Sequence, residues 1–463
     1  MKNSIAELVA EIETKYDVRG IQTSRFNRSF EIYPWIKAKL FHKLVLGKES
    51  LANKSSKSLL LQFKSLFYGT WNLFIHKYEI WAFTNSVERI EINGRYSDKL
   101  FDKISSATKG KILLIEFQYF KKFPLRKVAS KYVSSKALFL LSEEIYGRLF
   151  LRKFKVNNHE IITEIQNELK CQVNLNSILR KNLAQYRMMK FWLKILPNPK
   201  YVFMSVAYNH YGYIRAFKEA SIPLIEFQHG VISENHQAYN YKAKLSPYQF
   251  PDYLAVFGEN ERRFLTQKSQ IPIQGVSIIG RSIIDHYLNE NKEKANKKNI
   301  CVALQDGPIG DKAIAFLLDF NKASEIKYNF ILVPRRTSEM TYKNLFEFPV
   351  NFSFSKKNIY EALALCDVNI TAYSTVASEA LSMGKVSILI NIENKAKEVF
   401  EESLGENPYV HFIDQPNDLV RILQKEIPSK YEIAGSNNLN IKSDYQNNCT
   451  IMMNLLPNIK SQF

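Results

Sequence analysis

The run Ile370-Thr371-Ala372-Tyr373-Ser374-Thr375-Val376-Ala377-Ser378-Glu379-Ala380-Leu381-Ser382-Met383-Gly384-Lys385 sets hydroxyl side chains between an apolar stretch and a string of small, helix-compatible residues. Its spacing predicts a buried strand ending at Ala372, a turn at Tyr373, Ser374 and Thr375, and a helix beginning at once. The first N–H groups of a helix lack intrahelical partners and lie at the positive end of its dipole, so such a turn suits a pyrophosphate. Ser374 or Thr375 is also a good N-cap, and capping alone would account for the hydroxyls. Glu379, about a turn further in, either reaches back to ribose hydroxyls or faces solvent.

Other predicted strand ends carry polar groups, and ligands of open α/β sheets bind at the carboxyl ends of strands. In Ile225-Glu226-Phe227-Gln228-His229-Gly230-Val231-Ile232 a strand runs into a glycine loop that carries His229, which either enters a cleft or bonds loop backbone. Glu226, Glu234 and His236 are alternative bases beside it. Ile278-Ile279-Gly280-Arg281-Ser282-Ile283-Ile284-Asp285 offers a glycine for close backbone approach and an arginine for phosphate. Ile331-Leu332-Val333-Pro334-Arg335-Arg336-Thr337 ends in two arginines, which either neutralise a departing phosphate or are simply solvated. Gln305-Asp306-Gly307-Pro308 is a tight turn after another strand, with Gln305 a further donor contact. The loop from Asn85 to Arg95 either lines an acceptor side or lies on the surface.

The S-T-x-x-S-E-A-L-x-x-G-K pattern between two apolar strands resembles the donor-binding domain of GT-B glycosyltransferases, especially bacterial surface-polysaccharide enzymes. The run Ile359-Tyr360-Glu361-Ala362-Leu363-Ala364-Leu365-Cys366-Asp367 is similar to the helix that leads into that strand. The Gln228-His229-Gly230 loop resembles that of capsule and teichoic acid transferases, and the likeness spans roughly 223–423. It implies that His229 is the general base that takes the acceptor hydroxyl proton, a role suited to a near-neutral pKa. It also implies that Gly280, Arg281, Ser282, Gln305, Arg335, Arg336, Tyr373, Ser374, Thr375 and Glu379 hold a nucleotide-sugar donor. Related capsule enzymes carry His-Pro where this chain has Pro334-Arg335-Arg336. The chain has no D-x-D motif, so transfer without a metal or other cofactor is expected.

Positioning these groups requires parallel sheets. Strands are expected at 80–84, 112–117, 137–141, 201–206, 223–228, 253–257 and 276–279, mostly continuous apolar runs of the kind covered on both faces. A second series falls at 300–305, 330–334, 350–354, 368–372, 386–391 and 410–413, beyond a lysine-rich stretch at 289–298. The expected fold is α/β: two Rossmann-like domains facing a central cleft, 1–285 for the acceptor, with basic helical insertions, and 286–430 for the donor. A tail at 431–463 is expected to pack back on the body. The segment 178–196 mixes Leu179, Tyr186, Met189 and Phe191 with Arg180, Lys181, Arg187 and Lys190, which fits a packed amphipathic helix or a membrane-surface one.

Composition bounds the class. At 463 residues the chain exceeds a single ordinary core and suits two domains of about 200 residues each. With 46% apolar and 24% charged residues, a disordered or fibrous chain is excluded. Cys171, Cys301, Cys366 and Cys449 lie far apart without C-x-x-C spacing, which argues against zinc and a disulfide framework. The start of the chain lacks a signal-peptide core and no run approaches a membrane span, so a cytoplasmic location is expected, at most at the inner membrane face.

The formal charge of +19 attracts anionic partners. It is concentrated around Lys121, Lys122, Arg126, Lys127, Lys131, Arg148, Arg152 and Lys153. A glycan or lipid-linked acceptor and peripheral membrane association fit it better than nucleic acid, for which no helix-turn-helix, RRM or KH pattern appears. The rival readings are a CDP-glycerol or CDP-ribitol phosphotransferase, a nucleotide-sugar epimerase and a non-catalytic binder.

Overall fold

The computed structural model describes residues 5–46, 63–75, 77–107, 111–118, 123–289, 299–335 and 337–459. The lysine-rich stretch from 290 to 298 lies outside them, as do Lys121, Lys122 and Arg336. The chain divides into two compact units: Met1–Val256 with Glu261–Ile278 and Cys449–Phe463, and Phe257–Asn260 with Ile279–Asn448.

The first unit is built on a seven-stranded sheet in the order Gly275–Ile278, Tyr253–Val256, Leu224–Phe227, Tyr201–Ser205, Ile80–Asn85, Ile112–Phe117, Val133–Ser135. Every pairing in it is parallel. Numbered along the chain, the first four strands stand 3-2-1-4 and the rest follow outward, the doubly wound order with its topological switch between the Ile80 and Tyr201 strands. The central strands are apolar without alternation because both their faces are buried, as Trp81, Ala82, Phe83, Leu113, Leu114 and Ile115 are.

The expected strand at 137–141 is instead the start of a helix, Ala137–Phe150. A short apolar run does not by itself distinguish the two. Here Phe139, Glu143 and Gly147 recur every four residues on the buried face, and Phe139 packs against Trp81, Phe83 and Trp192. The edge strand that precedes it, Val133–Ser135, is too short and polar to announce itself. Helix Leu175–Ile195 buries Ile178, Leu179, Leu183, Met189 and Leu193, the packed reading of that amphipathic segment. It lies so close to helix Tyr211–Glu219 that a Cβ at Gly212 would overlap the Asn182 carbonyl. This unit also holds a small antiparallel sheet (Arg28–Glu31, Gln22–Arg25, Val156–Asn157) and a hairpin (Arg89–Ile92, Arg95–Asp98).

The second unit has six parallel strands in the order Phe352–Phe354, Asn329–Val333, Asn299–Ala303, Val368–Thr371, Val386–Ile390, Val410–Ile413. Along the chain this is 3-2-1-4-5-6, with the switch between the Asn299 and Val368 strands. The helix Lys430–Ser436 packs on the helix Val376–Ser382, and Asn437, just beyond it, donates to the Ser378 carbonyl (2.8 Å) and the Ser382 hydroxyl (2.7 Å). Among the described residues no helix is long and apolar enough to cross a membrane.

Candidate functional site

In the second unit the predicted donor residues collect at the carboxyl ends of the strands around the switch point. Gln305 follows the Asn299 strand, Arg335 the Asn329 strand, and Tyr373, Ser374 and Thr375 the Val368 strand. The two switch strands are tied at this end by the Thr371 hydroxyl, which donates to the Ala303 carbonyl at 2.8 Å. The loops after the first two strands are linked as well, since Asp306 accepts from both the amide and the hydroxyl of Thr337, at 3.1 and 3.0 Å. Gly307, at φ +73°, turns the chain into the helix Pro308–Ala323. The Gln305 side-chain oxygen is buried without a hydrogen-bond partner among the described residues, while its carbonyl accepts from the Tyr342 hydroxyl at 3.1 Å. Arg335 is exposed at the rim; its neighbour Arg336 is outside the described residues.

Tyr373, Ser374 and Thr375 are each half-buried. The helix they precede, Val376–Ser382, has Thr375 at its N-cap position without a side-chain capping bond. The Thr375 hydroxyl turns inward to Glu379 Oε1 (3.2 Å), and Ser374 Oγ accepts from the Val376 amide at 3.4 Å. Glu379 does not face solvent: its side chain is 3% exposed and ion-paired with Arg281, itself 6% exposed. Arg281 also lies 5.0 Å from the Phe257 ring centroid. Gly280, Arg281 and Ser282 therefore meet the S-T-x-x-S-E segment in space, through a buried pair that fixes the turn. Gly280 takes φ +74° and presses so closely on the Lys442 carbonyl that a Cβ would overlap it.

In the first unit His229 sits, half-buried, one residue beyond Gln228 at the end of the Leu224–Phe227 strand. Gln228 braces the loop, donating from its side chain to the Gly230 carbonyl (2.8 Å) and to Glu261 (3.1 Å). His229 Nε2 lies 3.4 Å from the Tyr208 hydroxyl. Tyr208 stacks edgewise on His236 and Tyr239, so two histidines and two tyrosines form one cluster. Glu226 underlies it, 2% exposed, accepting from the Ala207 amide and the Tyr239 hydroxyl, both at 2.8 Å. Burial pushes its carboxyl up to about 7. Burial also drives His236 down to about 3, so it is neutral at physiological pH and its Nδ1 accepts from the Ala238 amide at 3.3 Å. Glu234 points elsewhere, to an ion pair with Lys268 at 2.7 Å.

Sequence reasoning missed Tyr208, since a tyrosine two residues past a strand carries no distinctive spacing. It also missed Asn437, whose amide bonds Ser378 and Ser382 of the helix Val376–Ser382.

Two doubly wound parallel sheets make this an α/β protein of two Rossmann-like units. No protein-family model matches the chain, and no curated protein does. Solved structures that resemble it include a UDP-GlcNAc 2-epimerase of Methanocaldococcus jannaschii, in complex with UDP-GlcNAc and UDP (11% identity, 82% of this chain and 99% of that one, TM-score 0.47). The calicheamicin glycosyltransferase CalG4 (11% identity, 83% and 100%, TM-score 0.49) and the wall teichoic acid polymerase TagF (12% identity, 94% and 99%, TM-score 0.45) are others. At such identities the likeness is one of fold.

Proposed function

We propose that the chain is a glycosyltransferase that moves a sugar from a nucleotide-sugar donor to a hydroxyl of a surface-polysaccharide or lipid-linked glycan, with inversion and without a metal. The observation that carries this reading is the second unit's switch point, where Gln305, Tyr373, Ser374 and Thr375 converge at the strand ends, flanked by Arg335. Open α/β sheets bind nucleotides at such a crevice. In this reading Ser374 and Thr375 meet the donor diphosphate, and Arg335 and Arg336 balance the charge that grows on it as it leaves.

His229 takes the proton of the acceptor hydroxyl while the oxygen attacks the anomeric carbon from the side opposite the leaving diphosphate. One C–O bond forms, the bond to the phosphate breaks, and the nucleoside diphosphate carries the electron pair away. Tyr208, within hydrogen-bond reach of Nε2, orients the ring. The acceptor is anionic, in keeping with the net charge of +19, and is met in the cytoplasm at the inner membrane face.

The test is a thermal-shift screen of the purified protein against UDP, GDP, CDP, CMP and ADP and their sugar and polyol conjugates. Stabilisation by one nucleotide and its sugar conjugate is expected. Stabilisation by CDP-glycerol or CDP-ribitol alone would replace glycosyl transfer by polyol-phosphate transfer, and silence with every compound would overturn the reading.

A further inference from the structure

The first unit buries a lysine that makes no direct ion pair among the described residues. Lys136 ends the loop after the Val133–Ser135 strand and stands at the N-terminus of helix Ala137–Phe150 with 2% exposure. No carboxylate among the described residues lies within 4 Å of its ammonium. The nitrogen instead sits 3.2 and 3.3 Å from the two ring nitrogens of His210 and 4.7 Å from the Tyr213 ring centroid. His210 stands at the N-terminus of a second helix, Tyr211–Glu219, just past the Tyr201–Ser205 strand. The Lys136–His210 contact thus joins residues that follow the Val133 and Tyr201 strands of the sheet.

The surroundings add charge of the same sign. Burial holds the His210 imidazole neutral, well below its usual range, and Lys136, Lys181 and Lys39 push it the same way. Lys181 and Lys39 reach solvent, yet protein encloses them enough for desolvation to lower both ammonium groups, Lys181 to about 8. Among the described residues Glu143 is the carboxylate that acts on Lys136; burial raises it to about 7, it accepts from the Tyr213 hydroxyl, and it brings one charge against three lysines. Gln185, 1% exposed, bonds His210 Nδ1 at 3.3 Å through its amide nitrogen, and its oxygen has no hydrogen-bond partner among the described residues.

Burial lowers the Lys136 ammonium to about 7, and an anion that enters from outside would hold it protonated. We propose that Lys136, Lys181, Lys39 and His210 form a binding site for a phosphate or diphosphate group carried by the acceptor. Three lysines match a multiply charged phosphate, whereas a carboxylate brings a single charge. The inference rests on the glycosyl-transfer reading only for the word acceptor; the site itself stands on the cluster.

The experiment is calorimetric titration of the full-length protein with inorganic pyrophosphate, followed by farnesyl diphosphate and glucose 1-phosphate. Wild type should bind pyrophosphate, Lys136→Met at least tenfold more weakly, and Lys181→Met, a change at an exposed side chain that leaves folding intact, several-fold more weakly. Tighter binding of farnesyl diphosphate assigns the phosphate to a lipid carrier, and tighter binding of glucose 1-phosphate to a soluble one. No pyrophosphate binding at about 10 mM, which corresponds to a binding free energy weaker than about 3 kcal/mol, or binding by both variants as tight as by wild type, overturns the proposal. Nucleotide affinity, measured in parallel, should be the same in all three proteins. If nucleotides fail to bind while the pyrophosphate response still depends on Lys136, the donor reading falls and the anion site remains.

Discussion

Arg281 and Glu379, 98 positions apart, form an ion pair from which solvent is almost excluded, and Thr375, just before the helix Val376–Ser382, hydrogen-bonds to the same carboxylate. The pair joins the Gly280 turn to the helix after the switch strand. Removing one partner leaves the other charge buried without compensation, which costs about 3–5 kcal/mol. Glu379→Ala should therefore lower unfolding free energy by that order in urea titration, while the double variant Arg281→Met, Glu379→Leu recovers most of it. A loss below about 1 kcal/mol for Glu379→Ala would show that water reaches the pair.

Gly280→Ala tests the same turn through the backbone. The position combines φ +74° with close approach to the Lys442 carbonyl, so an added methyl is both strained and obstructed. The loss should exceed about 1 kcal/mol. Gly230 of the histidine loop, around which a Cβ would meet nothing within 4 Å, is the control, and Gly230→Ala should stay within about 0.5 kcal/mol.

These residues also show what the sequence could and could not convey. Strands such as Ile112–Phe117 and Val386–Ile390 were legible because a strand buried on both faces is an unbroken apolar run. The same rule misassigned 137–141, where a helix is apolar because sheet and helices cover it on several sides. The strand-end positions of His229, Gln305 and Ser374 followed from local spacing. The Arg281–Glu379 pair and the Lys136–His210 cluster did not, since each joins segments more than 70 residues apart and neither bears a motif.

For the first unit's histidine loop, His229→Ala should lower transfer by about 10²–10⁴-fold with nucleotide affinity unchanged, the signature of a lost general base. Tyr208→Phe removes one hydrogen bond to the ring, worth on the order of 1 kcal/mol, so kcat should fall about fivefold at constant KM. Parallel loss of melting temperature in His229→Ala would assign the ring a structural role instead.

Glu226 gives a prediction in pH. Its carboxyl titrates about 7 in the folded protein against an ordinary value near 4.5, because burial disfavours the anion. Between these values the folded state binds the proton that the unfolded state has released. Stability from this group is therefore complete below pH 4.5 and is lost as pH rises towards 7, with a slope approaching 1.4 kcal/mol per pH unit, or about 3 kcal/mol in all. Glu226→Gln keeps an oxygen to accept from the Ala207 amide and the Tyr239 hydroxyl but cannot ionise. Other buried acids that titrate in this range, Asp98 and Glu143, are common to both proteins and cancel in the difference. In urea titrations from pH 5 to 8 the glutamine variant should gain steadily on wild type and then level off above 7. Parallel stability curves would mean that Glu226 stays ionised in the fold, with Tyr239 and the Ala207 amide solvating the charge.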